Sequence, residues 1–299
     1  MNGYSHPFYA QSFREVGEPI YLPSAGGWLI KRQIPDTENF DAMGPYPLFV
    51  CKNWSALPRD LDELRNDLVS LSLVIPPLTQ LPTSSFQSYF DTLYPYKDHY
   101  LLDFAIPLES SISRGRRKDA RRSLKNVSVE IINTPGMYLD EWFCLYQHLV
   151  DRHGIKGIRA FSKASFAKQL SIPGMVYCRG LYAGRAVGGN LYLVQDDVVY
   201  FHLSVFSEEG YELDAAYAIQ WVAMQYFVNK VRWMNLGGST GAGTDHLSGL
   251  DQFKKGWSTA TEKSIFCGKI LDQKKYQEIT FSRQESMDGW FPSYRFGEF

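Results

Sequence analysis

"MVYCRGLYAGRAVGGNLYLVQDDVVYFHLSVF", residues 175–206, holds three runs of strand-forming residues separated only by the turns "AGR" and "QDD". Turns this short leave no room for a crossover, so the runs form an antiparallel meander. The next segment, "YELDAAYAIQWVAMQYFVNK", repeats Ala215, Ile219, Val222 and Tyr226 at three- and four-residue steps, the period of a helix that buries one face. "VRWMNL" follows at once and has the length and apolar content of a buried strand.

The pattern extends in both directions. Upstream, "SVEII" (128–132) is a short strand, and "MYLDEWFCLYQHLVDRHG" places Leu139, Trp142, Phe143, Tyr146, Leu149 and Val150 at helical spacing before Gly154 stops the helix. A second helix starts from Ser162 as N-cap, with Phe166 and Leu170 inward. Downstream, "GLDQFKKGW" forms a short helix and "EKSIFCGKI" a closing strand. The order is therefore β-α-α-β-β-β-α-β-α-β. The first hundred residues are broken by prolines. They suggest a helix near Phe8 to Val16, strands at "GWLIKRQI" and "LFVCKN", a helix from Asp60 to Leu71, and a strand at "LVIPPL". "YLLDFAIPLES" reads as the passage between halves, which divides the chain into residues 1–105 and 106–299.

At 299 residues and 44% hydrophobic content the chain has the material for a real core and lacks the composition of a disordered protein. A formal charge of -1 supplies no global field toward nucleic acid or acidic membranes, so any anion site is local. Cys51, Cys144, Cys178 and Cys267 stand too far apart for a zinc knuckle or a disulfide framework. His148 and His153 lack the spacing of a helical metal motif. No stretch approaches the roughly 18 to 20 apolar residues of a membrane span, and the first residues lack a secretory pattern, so a soluble, cytoplasmic protein is expected.

Three stretches together resemble the FemAB-like branch of the GNAT superfamily, which includes the peptidoglycan interpeptide-bridge aminoacyltransferases. "YLLDFAIPLESSISRGRRKDARRSLKNVSVEI" is similar to the family's strand, basic helix and strand, with Arg117, Arg121 and Arg122 at the basic positions. "NLGGSTGAGTDHLSGLDQFKKGWS" resembles its Gly-Gly turn, variable loop, Gly-Leu, Phe-Lys and aromatic ending. "AMGPYPLFVC" and "SLVIPPL" match the first half more weakly. The β/α order from residue 128 agrees with the GNAT fold. The resemblance implies an α/β protein of two GNAT-like domains packed face to face, the first degenerate. It also implies transfer of an acyl or aminoacyl group to a primary amine. The donor, acyl-CoA or aminoacyl-tRNA, would be a substrate and no tightly bound cofactor is expected. The acceptor stays open among cell-wall peptide, amino sugar, exopolysaccharide component and small amine.

The resemblance also ranks residues. The loop "GGSTGAG" has neither the Walker nor the dinucleotide spacing, so its glycines serve a turn. Lys254, after Phe253, stands at the family's Phe-Lys position and would hold a donor phosphate or offset an oxyanion. Arg117 and Arg121 lie on one helical stripe as an anion platform or a solvated face. Alternation puts Tyr200, His202 and Ser204 on one face, and His202 is the best-placed imidazole for taking a proton, with a satisfied core histidine as the alternative. Asn235, Gly237, Gly238 and Ser239 would orient substrate or simply shape the turn. "FSEEGYELD" departs from the family: Glu208, Glu209, Glu212 and Asp214 stand where a donor pyrophosphate usually sits, which puts ordinary coenzyme A binding in doubt. A noncatalytic ligand-binding protein on the same fold remains an alternative. So does a nucleic-acid-binding module built on the basic helix.

Overall fold

The computed structural model describes residues 2–79, 83–239, 248–283 and 289–298. Most of the glycine loop, residues 240–247, lies outside them. The strands are β1 (Glu18–Leu22), β2 (Gly27–Gln33), β3 (Phe40–Met43), β4 (Ser70–Ile75), β5 (Thr92–Asp103), β6 (Ser128–Ile132), β7 (Met175–Tyr182), β8 (Arg185–Gln195), β9 (Val198–Phe206), β10 (Trp233–Gly238) and β11 (Ala260–Ile270). The helices are α1 (Pro7–Gln11), α2 (Leu57–Glu63), α3 (Thr83–Phe86), α4 (Leu108–Ser111), α5 (Arg114–Ser123), α6 (Leu139–His153), α7 (Lys163–Gln169), α8 (Glu208–Glu212), α9 (Ala215–Phe227), α10 (Gly249–Lys255) and α11 (Gln273–Ser282).

All the strands belong to one sheet, in the order β1-β2-β3-β4-β11-β5-β10-β9-β8-β7-β6. Among the described residues only β3–β4 and β9–β10 pair parallel. The expected face-to-face packing of two halves is replaced by an edge-to-edge join. β11 lies between β4 and β5, bonded to both, so the sheet crosses residue 105 without a break. The chain ends cross as well. Near the N-terminus, the Tyr4 amide donates to Gln195 Oε1 of β8 at 2.9 Å, and Ser165 Oγ of α7 donates to the Ser12 carbonyl. Near the C-terminus, Tyr294 bonds Ser70 of β4, and Arg295 pairs with Asp41 of β3.

In the second half each face of the sheet has its own core. Val176, Val199, Met234 and Leu236 meet Ala218, Ile219 and Ala223 of α9, with Ala120 of α5 and Trp257 closing the layer. The opposite face packs Tyr177, Leu193 and Tyr200 on Trp142, Tyr146 and Phe166 from α6 and α7, and on Tyr4 and Tyr9. Local chemistry sets the ends of these helices. Gly154, at φ +59°, is the left-handed stop of α6, and Ser162 Oγ caps α7 by accepting from the Ser165 amide.

The meander, the return strand β10 and β11 stand where the patterns put them, and β10 pairs parallel to β9 as the resemblance implies. Three elements differ. "LFVCKN" is not a strand: it follows Pro45 and Pro47 and makes isolated bonds, such as Phe49 N–H to the Val74 carbonyl, while β3 lies earlier. The helix expected from Asp60 to Leu71 is α2, which ends at Glu63 before β4 begins at Ser70. The long helix through "YELDAAY" is two, because Asp214 sits at φ +56° and breaks the path between α8 and α9.

Candidate active site

The site lies where β9 and β10 separate. Their pairing runs through Trp233↔Val198, Met234↔Val199 and Asn235↔Tyr200 and goes no further, although β9 continues to Phe206 and β10 to Gly238. Each strand keeps its outer neighbour, β8 or β5, so the gap is a splay between two anchored walls. Met234 and Leu236 face α9, which leaves Asn235 on the opposite side, in register with Tyr200.

At the tip of β10 the chain turns through Gly237, whose φ of +88° favours glycine. Asn235 Oδ1 accepts from the Gly237 amide at 2.8 Å and lies 3.0 Å from His99 Nδ1 of β5. Ser239 continues the edge, its amide donating to the Asp98 carbonyl. Lys254 of α10 reaches this tip and donates from Nζ to the Gly238 carbonyl at 2.6 Å. α10 is held by Phe253, which packs edge-on to Tyr217 of α9 and to Trp257. Lys254 is 7% exposed; burial, opposed by Asp251 and helped by Lys97, brings its pKa down to about 8. It remains largely charged at neutral pH although it is buried. A β-carbon at Gly237 would approach this ammonium at 3.5 Å, and one at Gly238 would come within 3.2 Å of His99 Nε2. Gly238 therefore leaves room for the histidine, while Gly237 is required by its backbone angle.

The alternation expected to align Tyr200, His202 and Ser204 is broken. Leu191 pairs with Leu203 but Tyr192 pairs with Phe201, so β9 carries an extra residue at His202. Ser204 is thereby turned to the α9 side, where its Oγ donates to Asn190 Oδ1 in a chain that runs through Tyr192 to Gln220 of α9. His202 stays on the other side with Tyr200, edge-on to Tyr4 and Tyr9. Its Nδ1 meets Tyr4 Oη at 3.2 Å and its Nε2 meets Gln169 Oε1 at 3.1 Å. Burial lowers its pKa to about 4. Gln169 Oε1 only accepts, so Nε2 carries the proton and Nδ1 accepts from Tyr4. Both nitrogens are engaged, the bonding of a core histidine, and the structure does not bring His202 onto the Lys254 cluster.

The basic helix divides its arginines. Arg116, which the sequence reading passed over, donates to Tyr217 Oη at 2.8 Å and to the Gln252 carbonyl at 3.1 Å, tying α5 to α9 and α10. Arg122 pairs with Asp214 at 2.8 Å. Arg117 is half-buried with its Nε unbonded, and Arg121 is exposed. The acids after β9 are occupied too: Glu208 pairs with Arg152 and Glu209 with Arg185. Gly210 serves packing, because a β-carbon there would fall 2.0 Å from the Val187 carbonyl oxygen.

A mixed sheet with a splayed parallel pair, flanked by helices on both faces, is the architecture of GNAT-type acyltransferases. Residues 183–270, from β8 through β11, match the FemAB family. The fold is similar to that of FemX, with a TM-score of 0.68 at 14% identity over 91% of this chain and 93% of that one. It is also similar to the C-terminal domain assigned to a lysylphosphatidylglycerol synthetase from Agrobacterium fabrum, with a TM-score of 0.66 at 12% identity over 92% and 89%. A third likeness is to L-PGS from Bacillus licheniformis, with a TM-score of 0.58 at 12% identity over 91% and 94%. No curated protein matches the chain in sequence. Residues 183–270 are thus FemAB-like in sequence, and the rest of the chain shares the fold of these proteins. At these identities the structural likeness is one of fold.

His99 escaped the sequence reading. The available signal was the alternation of "HYLLD", which sets His99 and Leu101 opposite Tyr100 and Leu102. Its neighbour Asn235 is 136 residues away, a contact made only by the β5–β10 pairing. Among the described residues no helix is long and apolar enough to cross a membrane.

Proposed function

We propose that the protein is an N-acyltransferase of the FemAB type, which moves an acyl or aminoacyl group from a thioester or ester donor to a primary amine. The observation that carries this reading is the β9–β10 splay with the buried Lys254 ammonium at its tip. The donor, acyl-CoA or aminoacyl-tRNA, places its carbonyl in the splay. As the amine nitrogen bonds to the carbonyl carbon, charge builds on the oxygen, and a preorganised cation in a dry site stabilises that charge. Lys254 supplies it, while Phe253 and the glycine turn hold Lys254 in place. Tyr200 and Asn235 line the head of the splay. Arg117 and Arg121 take anionic groups of the donor outside it. The acceptor is an amine of a cell-wall or polysaccharide precursor, consistent with the family match over β8–β11.

Hydrogen exchange tests the donor site. Acetyl-CoA or unfractionated aminoacyl-tRNA is expected to slow exchange of those β9 amides among residues 201–206 that face the splay, and of the β10 tip, and to leave β1–β3 unchanged. Protection of neither segment by either donor would remove the reading. A noncatalytic ligand-binding protein would show the same protection without any product.

A further inference from the structure

A transfer to an amine needs a group that removes a proton from the attacking nitrogen, and His202 has no nitrogen free for it. His99 is arranged differently. Asn235 Oδ1 already accepts from the Gly237 amide, so that atom is fixed as the oxygen of the side-chain amide. His99 Nδ1, 3.0 Å from the same oxygen, must then be the protonated ring nitrogen, and Nε2 keeps its lone pair. No hydrogen bond to Nε2 forms among the described residues. Nε2 lies at the tip of β10, where a β-carbon on Gly238 would come within 3.2 Å of it. The carbonyl of the same Gly238 holds Lys254. A second feature marks the spot: Asn235 Nδ2 is buried without a partner, at the last pair before the strands part. A buried donor left free at this position is available to a bound substrate.

We propose that His99, oriented by Asn235, is the proton acceptor of the transfer, set beside Lys254 at the open end of the β9–β10 splay. The proposal rests on the acyltransferase reading. The amine nitrogen forms the C–N bond and the carbonyl π pair moves to oxygen, beside the Lys254 ammonium. The nitrogen, now positively charged, gives one proton to His99 Nε2. The carbonyl re-forms, the C–O or C–S bond to the donor breaks, and Nε2 returns the proton to the leaving oxygen or sulfur. No redox partner is involved. The charged groups facing the ring are Lys254, Lys97 and Asp98, and burial is the largest influence on it. Burial and the two lysines keep the imidazole neutral at pH 7, with the Nε2 lone pair available, and the bond to Asn235 and, less, Asp98 partly offset them.

The test uses the full chain with acetyl-CoA or unfractionated aminoacyl-tRNA as donor and a lysine-bearing peptide or glucosamine as acceptor. His99→Gln keeps a donor toward Asn235 but has no basic nitrogen. It is expected to slow single-turnover transfer about 100-fold or more while donor-induced thermal stabilisation stays at the wild-type level. His99→Ala is expected to be slow as well and to regain rate with added imidazole. Asn235→Ala should lower kcat with little change in donor KM, and imidazole ¹⁵N shifts should show the single Nδ1-protonated form of His99 giving way to a mixture. Transfer by either His99 variant within about threefold of wild type would overturn the proposal, as would absence of imidazole rescue. Wild-type protein that neither binds nor transfers from either donor would instead remove the acyltransferase reading on which it rests.

Discussion

Lys254 Nζ donates to the carbonyl oxygen of Gly238 at 2.6 Å, so α10 is fastened to the tip of β10 by a buried ammonium. A group of this kind strains stability, because burial penalises the charged form and the hydrogen bond only partly compensates. The folded-state pKa, about 8, lies below the 10.5 of a solvent-exposed lysine. Below pH 8 both folded and unfolded chains carry the proton and the penalty is present in full. Between about pH 8 and 10.5 the unfolded chain binds more protons, so stability rises with pH across that window. Lys254→Met is expected to lose this rise in a series of urea titrations and to be no less stable than wild type at pH 7. Transfer, which needs the charged form, should fall in wild type as pH passes about 8.

Gly256 gives a purely structural counterpart. A β-carbon there would lie 2.2 Å from Arg116 Nε, so Gly256→Ala displaces the guanidinium from Tyr217 and from the Gln252 carbonyl. The expected loss is about 1–3 kcal/mol, read from urea midpoints. Arg116→Ala should show a similar loss, and the two changes together should cost less than their sum, since both act on one contact.

The acid side of the stability curve should report the buried imidazoles. His99 and His202 both have pKa values lowered to about 4, chiefly by burial. The unfolded chain takes up protons at these groups below about pH 6.5, whereas the folded chain resists until about pH 4. Stability therefore falls as pH drops through that interval and the contribution flattens below it. The double change His99→Gln with His202→Gln is expected to flatten the dependence between pH 6.5 and 4. An unchanged slope would mean that neither ring is sequestered.

The crossing of the chain ends has its own test. Arg295 is 4% exposed and Asp41 1%, and the guanidinium meets the carboxylate through Nη2 at 2.8 Å and through Nε. Arg295→Ala leaves a buried carboxylate without its main partner and is expected to cost about 3–5 kcal/mol. Replacing both by apolar residues, Asp41→Leu with Arg295→Met, should recover much of that loss. Thermal unfolding followed by circular dichroism distinguishes the two outcomes.

What the sequence discloses here is what local pattern can encode. The short turns "AGR" and "QDD" fix the meander, and the period of Ala215, Ile219 and Val222 fixes α9, because both depend on neighbours along the chain. The place of β11 between β4 and β5 depends on partners from 159 (Ala260↔Leu101) to 200 (Ile270↔Ser70) residues away and leaves no local trace. The bulge at His202 turns Ser204 to the other face, and no spacing rule announces an extra residue in a strand that otherwise alternates. The place of Lys254 at the glycine turn was legible through the "FKKGW" resemblance. His99 was not, since its meaning comes from Asn235, and strand pairing alone joins them.

The central claim is that acyl transfer occurs at the β9–β10 splay with Lys254 as its cation. Mass-spectrometric detection of acyl- or aminoacyl-amide product tests it most directly, with wild type and Lys254→Met compared at pH 7 under single-turnover conditions. The expected result is product from wild type with at least one donor class and a rate about 10² to 10³ lower in the variant, at equal folded fraction. Equal rates in the two proteins, or no product from either donor with any amine tried, would contradict it.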